Sequence, residues 1–147
     1  MTEVPFDQST FERFLEDISE PFMTGDITRW RRRILLPFSL ITQTGPVTLD
    51  SDAAVETNFH LYLEARDAMQ LDLVSRVPLG FERCDDNSVI ATYKTDLLRR
   101  GTRVVPPYTA SALLHHRDGR WKMSAILNAL GHHHWTGLHP YLKGAKT

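Results

Sequence analysis

The chain has 147 residues, of which 41% are hydrophobic and 24% charged, with a formal net charge of −1. That length suits one domain with its own core. The charge balance gives no general attraction to nucleic acid or anionic membranes, and the single cysteine, Cys84, excludes an intrachain disulfide. The opening residues lack a basic stretch followed by an apolar one, and no apolar run approaches the ~20 residues a bilayer span needs. The expected location is cytoplasmic, with neither membrane nor nucleic acid as a partner.

In chain order, residues 1–8 read as a short tail. Ser9-Thr10-Phe11-Glu12 matches a capping box, with Ser9 as N-cap and Glu12 reaching back. Phe11, Phe14, Leu15, Ile18 and Phe22 follow at helical spacing, and Pro21 ends or bends this helix. Asp26 is a good N-cap for a second helix whose buried face is Ile27, Trp30 and Ile34, with Pro37 as its stop. Residues 38–43 read as a short strand, Gly45-Pro46 as a turn, and 47–49 as a second short strand or an arm. Asp50-Ser51-Asp52 supplies caps for the longest helix, with a stripe of Val55, Phe59, Tyr62, Leu63, Arg66 and Met69.

The second half changes period. Strands are expected over about 73–83, 88–99, 103–117 and 120–130, separated by Asp85-Asp86-Asn87, Arg100-Gly101 and Asp118-Gly119. Asp-Gly between two apolar strands is a strong hairpin signal, because both turn positions favour positive φ. Pro78 argues for an edge position or a bulge, and Pro106-Pro107 for a bulge or a late start of the third strand. Residues 131–147 read as a second tail. Helices followed by strands make this an α+β chain, with helices packed on one face of an antiparallel sheet.

The element order, the Gly25-Asp26 step before Trp30, and the Asp118-Gly119-Arg120-Trp121-Lys122 hairpin together resemble the nuclear transport factor 2-like superfamily, most closely its SnoaL-like branch. The resemblance covers about residues 9–130. It implies a cystatin-like roll, in which a cone-shaped curved sheet, antiparallel or mixed, wraps the long helix and leaves a pocket between sheet and helices. Phe14, Ile18, Trp30, Phe59, Leu63, Tyr93, Tyr108 and Asn128 are the candidates to face that pocket. The fold is specific; the function is not, because one superfold hosts many activities.

The chemistry of known members does not transfer simply. Steroid-isomerase-like relatives need a carboxylate base, a tyrosine and a protonated acid. The corresponding positions here are Thr42, Phe11 or Phe14, and Ser111 or Ala112. The acids or histidines of SnoaL-type enzymes on the last strand are replaced by Met123-Ser124-Ala125-Ile126-Leu127-Asn128. Other titratable candidates each have a plainer reading: Asp96 as a solvent-side strand residue, His60 as a helix-edge residue, Cys84 as a small strand-end hydrophobe. His115 and His116, adjacent on a strand, point to opposite faces. Trp30-Arg31-Arg32-Arg33 reads first as a solvated basic face and second as a site for a phosphate or an acidic partner. His132-His133-His134 with His139 reads as an exposed polar tail rather than a metal site, since consecutive histidines rarely chelate one ion well. No glycine-rich phosphate loop or nucleophile elbow is present. The expectation is therefore a homodimer, paired through the outer sheet face, that binds a small apolar or aromatic molecule, without metal or cofactor. It is either an isomerase-, cyclase- or dehydratase-type enzyme with non-standard residues or, alternatively, a non-catalytic interaction subunit similar to the small subunit of aromatic-ring dioxygenases.

Overall fold

A computed structural model of the chain describes residues 5–42 and 45–128. Three helical segments come first: α1 (Gln8–Ser19), α2 (Pro21–Thr24) and α3 (Ile27–Arg31). They are followed by β1 (Ile34–Thr42), β2 (Gly45–Leu49) and the long α4 (Asp52–Met69). The remainder is β3 (Leu73–Asp85), β4 (Ser88–Arg99), β5 (Thr102–Arg103), β6 (Tyr108–Arg117) and β7 (Arg120–Asn128). The strands form one mixed sheet in the order β2-β1-β7-β6-β4-β3, with β5 beside β4. β1 runs parallel to β7, and every other pairing is antiparallel. No helix among the described residues is long and apolar enough to cross a membrane.

Helix α1 begins earlier than its capping-box pattern suggests. Asp7, not Ser9, is the N-cap, and its Oδ1 accepts a hydrogen bond from Thr10 N at 2.8 Å. That bond holds the Asp7 carboxyl below the usual carboxylate range. Phe6 and Phe11 flank the cap with ring centroids 5.5 Å apart. This is a hydrophobic staple, which fixes the entry of the chain into the helix. Phe6 is 1% exposed and also packs against Trp121 and Phe81. The stretch expected as a tail is thus anchored at Phe6 by the core.

Pro21 stands at the first position of α2, where its missing N–H costs nothing, and Gly25 closes that turn at φ 81°. Asp26 caps α3 through Arg29 N. The second helix does not continue to Pro37, however. It ends at Arg31, and Ile34, expected on its buried face, opens β1 instead. Arg33 O accepts from Met123 N at 2.7 Å, so pairing with β7 takes the backbone that a longer helix would need. Pro37 lies inside β1, in the interval between Ile34 and Ser39 where the register with β7 shifts, so no ladder bond is lost to its missing N–H.

Ser51 caps α4 through Ala54 N, and Val55, Asn58, Phe59 and Tyr62 form its buried face. Arg66, on the edge of that stripe, donates from Nη1 to the Phe22 and Met23 carbonyls at 3.2 and 3.4 Å. Pro78 satisfies both readings of its position, since β3 is an edge strand and its register with β4 shifts between Pro78 and Gly80. β6 starts late, just after Pro106-Pro107. Asp118 and Gly119 both take positive φ, 55° and 76°, as the hairpin turn requires.

The basic run that begins in α3 is a free face only in part: Arg32 is exposed, while its neighbours are engaged. Arg33 is 3% exposed. It donates from Nε to Asp17 Oδ2 at 2.9 Å and from Nη1 to Trp121 O at 3.0 Å. Arg29 donates to the other Asp17 oxygen at 2.7 Å and pairs with Glu20, while Arg31 pairs with Glu56 at 3.1 Å. The network ties α1 to α3 and to the far strand β7.

Candidate functional site

The concave face of the sheet and the helices above it enclose a cavity of about 30 Å³. Phe22, Trp30, Asn58 and Tyr62 line it from α2, α3 and α4. The sheet contributes Leu40, Arg76, Tyr93, Thr95, Tyr108, Ala110 and Ile126. Strand alternation explains the sheet wall. Tyr93 and Thr95 are two apart on β4, as are Tyr108 and Ala110 on β6, so each pair faces the same way. On α4, Asn58 and Tyr62 are four apart and share the inward face. The volume admits one or two water-sized groups. The aromatic supply that the sequence assigns to a pocket is therefore spent largely on filling it: Phe22 packs its ring against Trp30 at 4.9 Å, Phe59 at 5.0 Å and Tyr62 at 5.5 Å.

Three of the four tyrosines of the chain line this cavity. Burial pushes the Tyr62 phenol well above its ordinary value; the neighbouring Tyr108 and Tyr93 act in the same direction and Arg76 opposes them. Burial likewise pushes Tyr93 up to about 12, against the pull of Arg76. Both phenols keep their protons at neutral pH and act as hydrogen-bond donors or acceptors, not as bases. Among the described residues the lining contains no carboxylate and no imidazole. It can hold and polarise an oxygen atom in a low-dielectric setting.

These shifts carry a stability consequence. A phenol whose pKa is higher in the folded state stabilises the fold below pH ~10, and that contribution is lost as pH rises toward the folded value. For Tyr93, with a folded value of about 12, the loss is on the order of 3 kcal/mol between pH 10 and 12, at about 1.4 kcal/mol per pH unit. Tyr93→Phe should flatten the fall of the urea midpoint over that range relative to wild type. Parallel curves would show that this phenol is solvated in the native state.

The residues singled out from sequence are distributed as follows. Trp30, Tyr93 and Tyr108 line the cavity. Phe14, Ile18 and Phe59 are buried in the surrounding core, and Leu63 is half-buried against it. Asn128 is the last residue of β7, opposite Ala110; its side chain lies outside the described residues. Sequence reasoning did not single out Arg76, Thr95, Asn58 and Tyr62 as pocket residues. Thr95 could have been found, since it shares a strand face with Tyr93. Arg76 could not, because nothing local distinguishes it from a surface arginine.

Other candidates take structural places. Asp96 sits on the opposite face of β4 from Thr95 and receives Arg103 Nε at 2.7 Å. His60 and Cys84 are exposed. His115 bonds Ser124 Oγ at 2.7 Å, and burial holds its imidazole below the usual histidine value. His116 turns to the other face and packs against Trp121 at 5.3 Å. No metal-ligand cluster occurs among the described residues; His132, His133, His134 and His139 lie outside them.

No protein-family model matches the sequence, and no curated protein matches it either. Solved structures do. An NTF-2-like protein of unknown function from Shewanella oneidensis MR-1 aligns at TM-score 0.63 and 12% identity over 82% of this chain and 97% of its own. LinA aligns at TM-score 0.60 and 11% identity, over 83% of this chain and 84% of its own. A protein of unknown function with a cystatin-like fold from Nostoc punctiforme PCC 73102 aligns at TM-score 0.65 and 8% identity, over 88% and 94%. Identities this low speak to fold alone: the chain has the nuclear transport factor 2-like, cystatin-like fold, an open curled sheet with helices on its concave side.

Proposed function

We propose that this protein binds a small apolar or aromatic molecule in the cone, seating one polar group of the ligand among the cavity's hydroxyls. The observation that carries this reading is the lining itself. Asn58, Tyr62, Arg76, Tyr93, Thr95 and Tyr108 meet at one interior space walled by Phe22, Trp30, Leu40 and Ile126. A few convergent polar groups in an otherwise apolar cavity is the ordinary composition of a small-molecule site. At about 30 Å³ the space takes the polar group alone; an aromatic body requires the rings of Phe22 or Trp30 to move aside. The lining supports binding and orientation, and any isomerase-, cyclase- or dehydratase-like chemistry would have to draw on the tyrosine hydroxyls. Native mass spectrometry of freshly purified protein tests the reading: a small molecule released on denaturation supports it, and an apo mass that also fails to shift with any member of an aromatic fragment panel contradicts it.

A second reading follows from the other side of the sheet. Ile90 and Leu127 are 40% and 57% exposed on the convex face, where Ile90 pairs with Leu113, and Leu113 with Ala125. An apolar sheet face of this kind suits a sheet-to-sheet homodimer or an assembly role like that of a dioxygenase small subunit. The tight packing of the cone favours this alternative. Leu127→Glu should convert a dimer to a monomer in light scattering if the face is an interface, and a monomeric wild type would remove the homodimer.

A further inference from the structure

Arg76, Thr95 and Tyr108 form one row across the sheet. Arg76 on β3 pairs directly with Thr95 on β4, and Thr95 pairs directly with Tyr108 on β6. Neighbouring strands lie ~4.8 Å apart, so the three side chains stand side by side on the cavity wall. Two of their polar atoms are buried and have no hydrogen-bond partner among the described residues: Arg76 Nε and Thr95 Oγ1. Thr95 as a whole is 1% exposed. Buried polar atoms are rarely left unsatisfied, and two on adjacent strands facing one cavity call for a common acceptor.

The arginine is held ready for it. Its Nη1 donates to Ile18 O at 2.7 Å and to Ser19 Oγ at 3.2 Å, and its guanidinium carbon lies 5.6 Å from the centre of the Phe22 ring. These contacts fix the guanidinium plane while leaving Nε unengaged by any described residue. Among the described residues no carboxylate forms an ion pair with Arg76, although Glu12, Glu16 and Glu20 stand along the groove that Arg76 also lines. A half-buried cation packed among aromatic rings with no counter-ion among the described residues is costly, and a bound anion relieves that cost.

We infer that the Arg76–Thr95 row is the recognition site for a carboxylate, so that the ligand of the cone is a small organic acid. One carboxylate oxygen accepts from Arg76 Nε and the other from the Thr95 hydroxyl. This rests on the cavity being a ligand site, as proposed above, and specifies which polar group enters it. A carboxylate fits the donor set better than a neutral oxygen does, because a planar guanidinium edge beside a hydroxyl offers two donors and a positive charge.

The test compares benzoate, formate and the neutral benzyl alcohol, with binding followed by calorimetry and by the ring resonances of labelled tyrosine. Benzoate should bind at least tenfold more tightly than benzyl alcohol, and formate should compete with it. Arg76→Gln should abolish that preference, weakening benzoate at least tenfold more than it weakens benzyl alcohol. Thr95→Val should weaken benzoate several-fold, and Arg76→Lys should retain part of the preference, which controls for any loss of folding in the glutamine variant. Equal affinity for benzoate and benzyl alcohol in the wild type overturns the carboxylate assignment and leaves the pocket reading intact, with water as the partner of the row. Formate binding without benzoate upholds the row and removes the aromatic body from the proposed function. Failure of all three probes to bind overturns both.

Discussion

Replacing Asp17 with alanine should cost about 3 kcal/mol of stability, the lower end of what is expected when a buried ion pair loses one member. The reason lies in Arg33, whose side chain is 4% exposed against 27% for Asp17. Without the carboxylate the guanidinium keeps its bond to Trp121 O but loses both charge-assisted contacts to Asp17 while staying buried. Arg29, which shares the other Asp17 oxygen, can turn toward Glu20 and solvent, so the penalty falls on Arg33. A double variant, Asp17→Ala with Arg33→Met, should recover more than half of the loss, because an apolar side chain of similar volume needs no partner. Chemical denaturation checks both variants. A loss under 1 kcal/mol for the single substitution would mean that the pair behaves as a solvated surface bridge.

Phe6→Ala should be of similar or greater effect, about 3–5 kcal/mol, as for other large-to-small changes in a packed core. Phe6 joins the start of α1 to β3 and β7. Its ring meets Trp121 at 5.3 Å and Phe81 at 5.0 Å edge-on, and Phe11 at 5.5 Å. Its carbonyl accepts from Arg83 Nη2 at 3.4 Å, which ties the start of α1 to the far half of β3. Truncating the ring opens a cavity beside Trp121 and also removes the staple of α1. The denaturant midpoint should fall with the slope unchanged. A change within 0.5 kcal/mol would show that the N-terminal segment is dispensable to the core.

How much of this was legible in the sequence depended on whether the deciding interaction was local. The caps at Asp26 and Ser51, the break at Pro21, the Asp118-Gly119 turn and the edge position of Pro78 follow from backbone rules that operate over a few residues. Ile34 misled because Ile27, Trp30 and Ile34 fit a helical stripe, while the competing pull, from Met123 N to Arg33 O, comes from nearly the other end of the chain. The start of α1 misled for a different reason. Ser9 with Glu12 is a sound local signal, but Asp7 flanked by Phe6 and Phe11 satisfies the cap and the core at once. In the cavity, Tyr93 and Tyr108 could be anticipated from strand alternation, whereas the Arg76–Thr95 pairing depends on the register of β3 with β4, and the bulge after Pro78 is part of what sets that register.

The two faces of the sheet give the account its sharpest alternative, with Tyr62, Tyr93 and Tyr108 in the cone and Ile90 and Leu127 on the outside. Ring-labelled tyrosine makes an NMR spectrum of the cavity almost by itself. Titrating that sample with benzoate, alongside methyl-labelled isoleucine and leucine, is the most direct measurement. Shifts centred on the cavity tyrosines, with Ile90 and Leu127 unmoved, are the predicted result. Shifts confined to Ile90 and Leu127, with the tyrosine rings unmoved, would place recognition on the convex face and contradict a ligand site in the cone.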